Sequence, residues 1–216
     1  MIALDRARIV ALARGFDRDE AASRWTRGER RLKARLARRR ARGILYFTRG
    51  ELRWVGEWKS PRIRPQIARN SEAGVRGVTA AAFLARSAST RLRVLLGLRG
   101  VGVAVASVVL HFADPSRYPI YDVRVRAALG RIGVRRRFPP TAAGWVAYAA
   151  VLRELAARHR VSLRTLDKAL WRLGGGQLPS RSALPDRQGV SSHRGRLRLP
   201  ARALTVRPGR AQDGAG

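Results

Sequence analysis

The chain has no cysteine and a single methionine, which excludes disulfides, cysteine-bound zinc and thiolate-held iron–sulfur clusters. Long apolar runs are missing as well. The longest, residues 101–113, is interrupted by His111 and is shorter than the roughly 20 residues a membrane-spanning helix needs. Histidines number only 3, and the acids are scattered, so neither a metal nor an organic cofactor is expected. Asp5 and Arg6 stand where a secretory leader would be apolar, and there is no small-residue cleavage pattern after them. A cytoplasmic, nucleoid-associated protein without a membrane partner is therefore expected.

Acidic charge is scarce too: 14 Asp and Glu face 46 Lys and Arg, a formal net charge of +32 in 216 residues. Such an excess repels itself unless a polyanion screens it, which makes a nucleic acid the expected partner. Lysine contributes only Lys33, Lys59 and Lys168 to the basic total, leaving 43 arginines. Arginine's planar fork pairs with phosphates and with guanine edges. A GC-rich coding sequence enriches arginine as well, so the charge argues for a polyanion and not for base specificity. An anionic membrane surface would attract the same charge, but no basic helix lined with Trp or Phe is present to exploit it.

The 45% hydrophobic content is enough for a core, and nearly every periodic segment repeats at three to four residues, which predicts an all-α domain. Arg-rich helices are expected over residues 2–14 and 17–42, the second with only Leu32 and Leu36 as a thin apolar stripe. Thr48 and Glu51 form a capping box with a Phe47–Leu52 staple, placing a helix from about Arg49 to Trp58. Asn70 or Ser71 is expected to cap the next helix and Ser89 the one after it. Two further helices are expected C-terminal to these, one over about 141–159 carrying Trp145, Tyr148, Leu152 and Leu155 on one face. The other is capped by Ser162 and buries Leu163, Leu166, Leu170 and Leu173. The helical domain is expected over 1–175, as a monomer, with a disordered basic tail of Pro, Ser, Gly and Arg over 176–216.

Between these helices, residues 92–98 read as a helix, 99–102 as a tight hairpin and 103–112 as a second helix with small residues at Ala104, Ala106 and Ser107. Gly100 and Gly102 allow close approach of a phosphate, and the N–H groups opening the second helix are free donors with a favourable dipole. An ordinary helix–helix turn has the same local pattern. The residues C-terminal to the second helix separate the two cases: Asp114-Pro115 and Tyr118-Pro119-Ile120-Tyr121 lead into Asp122-Val123-Arg124-Val125.

Over residues 92–130 the chain resembles the helix-hairpin-helix DNA glycosylase superfamily of the endonuclease III and adenine glycosylase kind, here without its iron–sulfur cluster. The resemblance implies that Leu98, Arg99, Gly100, Val101, Gly102 and Val103 hold the backbone of duplex DNA, with Arg124 beside them. It implies that Asp122 stabilises positive charge at the anomeric carbon of a flipped nucleotide, or helps activate the attacking water or amine. Bifunctional members carry a Schiff-base lysine where this chain has Ala104, so the resemblance implies monofunctional hydrolysis of a damaged or mismatched base. The family's Asp-Thr-His-Val is Asp122-Val123-Arg124-Val125 here, a departure that a noncatalytic DNA- or RNA-binding descendant would also display.

A second unusual string, Glu57-Trp58-Lys59-Ser60-Pro61-Arg62, offers Trp58 as a stacking surface for an extruded base, Lys59 as a surrogate amine and Glu57 as a second acid. Trp58 in the core and Lys59 in solvent is the plain alternative. Tyr121 is the remaining candidate for the base pocket. Asp122 is also a good N-cap residue irrespective of chemistry. Glu51 is explained by its capping box, Asp167 by the first turn of a helix, and His111 as a core histidine.

Overall fold

The computed structural model describes residues 2–21 and 24–175. The chain divides into a unit of residues 1–178 and a second of 179–216; the expected basic tail over 176–216 lies outside the described residues.

Helix starts are written in polar side chains. Asp5, Thr48, Ser71, Ser87, Asp122, Thr141 and Ser162 each take an extended backbone and accept a hydrogen bond from an N–H of the first turn, which satisfies a donor the helix cannot use itself. They open α1 (Arg6–Glu20), α3 (Arg49–Lys59), α5 (Glu72–Leu84), α6 (Ala88–Leu95), α8 (Val123–Arg131), α9 (Ala142–Arg158) and α10 (Leu163–Gly174). The remaining helices are α2 (Arg24–Ala41), the short α4 (Arg64–Ile67), preceded by a 3-10 turn at Pro61–Ile63, and α7 (Val103–Ala113). No strand occurs among the described residues.

Several expected boundaries move, and the second helix starts at Arg24, residues 17–20 ending the first instead. The first helix begins at Arg6, capped by Asp5, whose carboxylate takes the Arg8 N–H at 2.7 Å, and continues through Gly15 to Glu20. At Gly15, within this helix, the space a side chain would need is filled by the Arg172 guanidinium of α10. Ser87, not Ser89, caps α6 by accepting the Thr90 N–H at 3.0 Å. That helix stops at Leu95, and residues 96–98 continue as tight turns in which the Gly97 and Leu98 N–H groups reach back only three residues. The Thr48–Glu51 capping box forms as expected, with Phe47 and Leu52 both buried.

Helix α7 is the centre of the core. Val103 and all residues from Val105 to Phe112 are buried, as a helix apolar on every side must be, and α2, α3 and α6 pack around it. Helix α10 packs against α1, α8 and α9. Among the described residues no helix is long and apolar enough to cross a membrane.

Candidate nucleic-acid interface and acid–amine pair

In the connection 96–102 the side chains of Leu98 and Val101 turn inward, while Leu96 stays at the surface. Leu98, Val101 and Val103 are buried, while Arg99 and Gly102 are exposed. The Val101 N–H closes the turn on the Leu98 carbonyl at 3.1 Å, and Gly100 takes φ +76°, a left-handed conformation natural to glycine. A Cβ on Gly100 would stand 2.9 Å from Ile67 Cγ1 and 3.0 Å from the Ile67 nitrogen, so the turn lies directly on α4. At Gly102 the helix α7 begins with extended backbone and no side-chain cap. Its first N–H groups therefore have no side-chain acceptor and carry the positive end of the helix dipole.

The loop that delivers Asp122 is held from within. Three successive carbonyls, of Tyr118, Pro119 and Ile120, accept from His111 Nδ1 at 2.8 Å, Trp145 Nε1 at 3.3 Å and the Tyr148 hydroxyl at 2.7 Å. All three donors are buried, so the loop's buried polar groups are paired rather than left to oppose folding. The next amide, of Tyr121, donates to Ser107 Oγ at 2.8 Å. Ser107 lies four residues into α7, so this bond ties the approach to Asp122 about 6 Å along the helix axis from Val103.

Asp122 caps α8 through Oδ1, which accepts the Arg124 N–H at 2.8 Å. Its other oxygen accepts a hydrogen bond from Lys59 Nζ at 2.5 Å, with 12% of the lysine side chain and 16% of the aspartate side chain exposed. Capping and ion pairing thus coexist on one carboxylate, and the rare lysine that ends α3 meets the aspartate that opens α8. Behind them lies a second ionic group. Arg164 binds Asp167 at 2.7 Å and reaches Glu29 at 3.6 Å, and Glu29 pairs with Lys33 at 2.5 Å. Burial pushes the Asp167 carboxyl up; Arg164 opposes the shift and the charge of Asp122 adds to it. Burial likewise drives the Tyr148 phenol well up, reinforced by the charges of Asp167 and Asp122.

The remaining candidates divide. Trp58 is half-buried with its ring edge-on to Phe112 at 5.6 Å, which is the plain core role. Tyr121 is 4% exposed, and its hydroxyl donates to the Phe138 carbonyl at 2.5 Å; it supports the loop from inside and offers no open stacking face. Arg124 lies over the Trp171 ring at 4.1 Å, engaged with α10. Of the three pocket candidates, only Lys59 stands against Asp122.

Sequence reasoning missed Asp167, expected in a first turn but found one turn further in and buried. Its signal was available: it sits four residues after Leu163 and three before Leu170, on the apolar stripe itself. Of the two caps expected for α5, Asn70 or Ser71, Ser71 forms it, accepting the Gly74 N–H at 3.0 Å, and the bonds that Asn70 makes to Arg99 instead were not foreseen. Comparison of the chain with protein-family models, with curated proteins and with solved structures gives no match.

Proposed function

We propose that this protein is a helix-hairpin-helix DNA-binding enzyme of the glycosylase type, which grips the backbone of duplex DNA and releases a damaged or mismatched base. The observation that carries the reading is the juxtaposition of two dissimilar helix starts. The uncapped N-terminus of α7 at Gly102 is built to receive a phosphate. A short distance along the same helix, Ser107 holds the loop bearing Asp122, a carboxylate suited to stabilise developing positive charge on a sugar. A net charge of +32 supplies the general attraction to DNA.

In the hydrolytic form, the Asp122 carboxylate stabilises the anomeric carbon as its bond to the base breaks and water attacks. The Lys59–Asp122 contact favours a second form, in which Lys59 gives a proton to Asp122 and its freed amine bonds to that carbon. The electron pair of the broken bond leaves with the base, which takes up a proton. Asp122 is the base within hydrogen-bond reach of Nζ, the geometry that proton transfer requires.

Single-turnover base release from duplexes carrying uracil, 8-oxoguanine, alkylated purines and mismatches tests both forms, comparing the native chain with Asp122→Asn and Lys59→Met. Release that disappears in Asp122→Asn, with strands breaking only on heat or alkali, supports hydrolysis. A borohydride-trapped protein–DNA adduct absent from Lys59→Met supports the amine form. Tight, salt-sensitive binding with no release from any duplex identifies a noncatalytic module instead, and salt-insensitive binding removes the basis of both.

A further inference from the structure

Asn70 makes a set of contacts that few side chains can make. Its Oδ1 accepts the Arg99 N–H at 2.9 Å, and its Nδ2 donates to the Arg99 carbonyl and to the Ile67 carbonyl, both at 2.9 Å. One backbone residue of the 96–102 connection is thus held by both its donor and its acceptor, from a position 29 residues earlier in the chain. The pattern needs one acceptor and two donors on a short planar group, which is the inventory of an asparagine amide. Aspartate would set a carboxylate oxygen against two carbonyls, and serine cannot supply the second donor.

The segment that ends at Asn70 begins at Lys59. It leaves the Lys59–Asp122 contact, passes through the Pro61–Ile63 turn and α4, seats Ile67 under Gly100 and finishes on Arg99. Twelve residues therefore join the acid–amine pair to the turn that opens α7, with Ile67 and Asn70 as the two points of attachment. Arg62, Arg64 and Arg69 along this strap are exposed, as is Arg99.

We propose that Asn70 is a positioning residue: it latches the strap to the 96–102 connection and holds the connection's backbone in the conformation that receives a DNA phosphate. This inference rests on the duplex-gripping reading above. Asn70 touches neither the phosphate nor the Lys59–Asp122 pair and acts through the Arg99 peptide unit.

The experiment compares the native chain, Asn70→Ala, Gly102→Asp and the double variant on one probe, a duplex carrying a tetrahydrofuran abasic analogue. Binding is read by anisotropy over a salt series, and amide exchange of Arg99 is followed in the free proteins. Asn70→Ala is expected to weaken binding about tenfold, or about 1.4 kcal/mol, within the reach of the hydrogen bonds it loses. Arg99 should exchange faster by a similar factor. With α7 already blocked by Gly102→Asp, removing the Asn70 amide should change affinity little further, because both act on one element. Equal affinity of native chain and Asn70→Ala, or full additivity in the double variant, overturns the proposal. If the native chain does not bind the duplex, the functional reading fails by itself, and the latch is judged on exchange: unchanged Arg99 protection in Asn70→Ala sinks it, and lost protection upholds it.

Discussion

Helices α7 and α8 begin twenty residues apart in sequence, and both begin in extended backbone, at Gly102 and Asp122. Their first turns are treated in opposite ways. At α8 a carboxylate closes the helix and is itself engaged by Lys59, so that end is completed within the chain. At α7 no side chain caps the first turn, although Gly102 has open space where a Cβ would stand. Sterics therefore do not impose glycine there. A cap would fit and would stabilise the helix, and its absence leaves the first donors and the positive end of the dipole without a side-chain acceptor. The contrast separates an end capped within the chain from one that is not, and it is the second that the proposed function assigns to a DNA phosphate.

The largest effect should come from removing charge at the completed end. Asn caps helices as well as Asp does, so Asp122→Asn keeps the bond to Arg124 while losing the negative charge that the proposed reaction needs. Base release is expected to fall by about a hundredfold or more, the usual consequence of deleting one electrostatic stabiliser of a transition state, with duplex binding largely retained. Full activity in this variant would show that Asp122 is a cap and nothing else.

Next in size is the reverse change, completing the bare end. Gly102→Asp gives α7 the cap that α8 already has, and because the site is open and its φ is −88°, no strain opposes it. Thermal stability should rise by a few tenths of a kcal/mol. Duplex affinity should drop at least about tenfold, and the slope of log K against log salt should lose about 0.9 for the missing phosphate. Stabilisation without loss of affinity would break the contrast, since α7 would then be an ordinary helix start.

The legibility of the fold and site in the sequence tracks the range of the interactions. Caps are local: Thr48 with Glu51, and Ser162 before Leu163, announce their helices within four residues, and Asp122 announces both a cap and a candidate acid. Ser89 and Ser87 compete in sequence because one turn offers several hydroxyls, and the outcome depends on which one the chain's path presents to the helix. The Lys59–Asp122 contact spans 63 residues, and nothing local forecasts it; Lys59 stands out only because lysine is rare here. Ser107 reads as a small packing residue, yet its hydroxyl holds the Tyr121 amide, a partner supplied by the tertiary fold. Tyr121 misleads for the converse reason, since its ring is amphipathic and its partners, the Phe138 carbonyl and the Tyr148 ring, are supplied by the tertiary fold.

A smaller perturbation tests the support under the bare end. Gly100→Ala forces an L side chain into φ +76° and places its Cβ 3.0 Å from backbone at Ile67. The left-handed conformation alone costs about 1 kcal/mol or more, and the contact with α4 adds to it. Stability measured in urea should fall by about 1–3 kcal/mol, and affinity for the duplex should fall with it as the turn shifts off α4. Unchanged stability would mean that the turn does not need the conformation observed.

The smallest effect concerns the loop behind the completed end, and it is a matter of pH. His111 is fully buried, donating through Nδ1 to the Tyr118 carbonyl while Nε2 has no partner. Burial, with the charges of Arg164, Lys33 and Lys168, depresses its pKa well below the ordinary value of 6.5. The folded chain thus refuses a proton that the unfolded chain accepts. Above about pH 6.5 the two states are alike in this respect, but as pH falls below it the unfolded state gains the proton and stability drops, by up to about 1.4 kcal/mol per pH unit. Unfolding free energies between about pH 7.5 and 5.5 should therefore decline in the native chain and decline less in His111→Gln, which cannot titrate. Parallel declines would place the acid sensitivity elsewhere and free the Asp122 loop from this dependence; a flatter profile in the variant ties the loop's integrity to a neutral imidazole under the Tyr118 carbonyl.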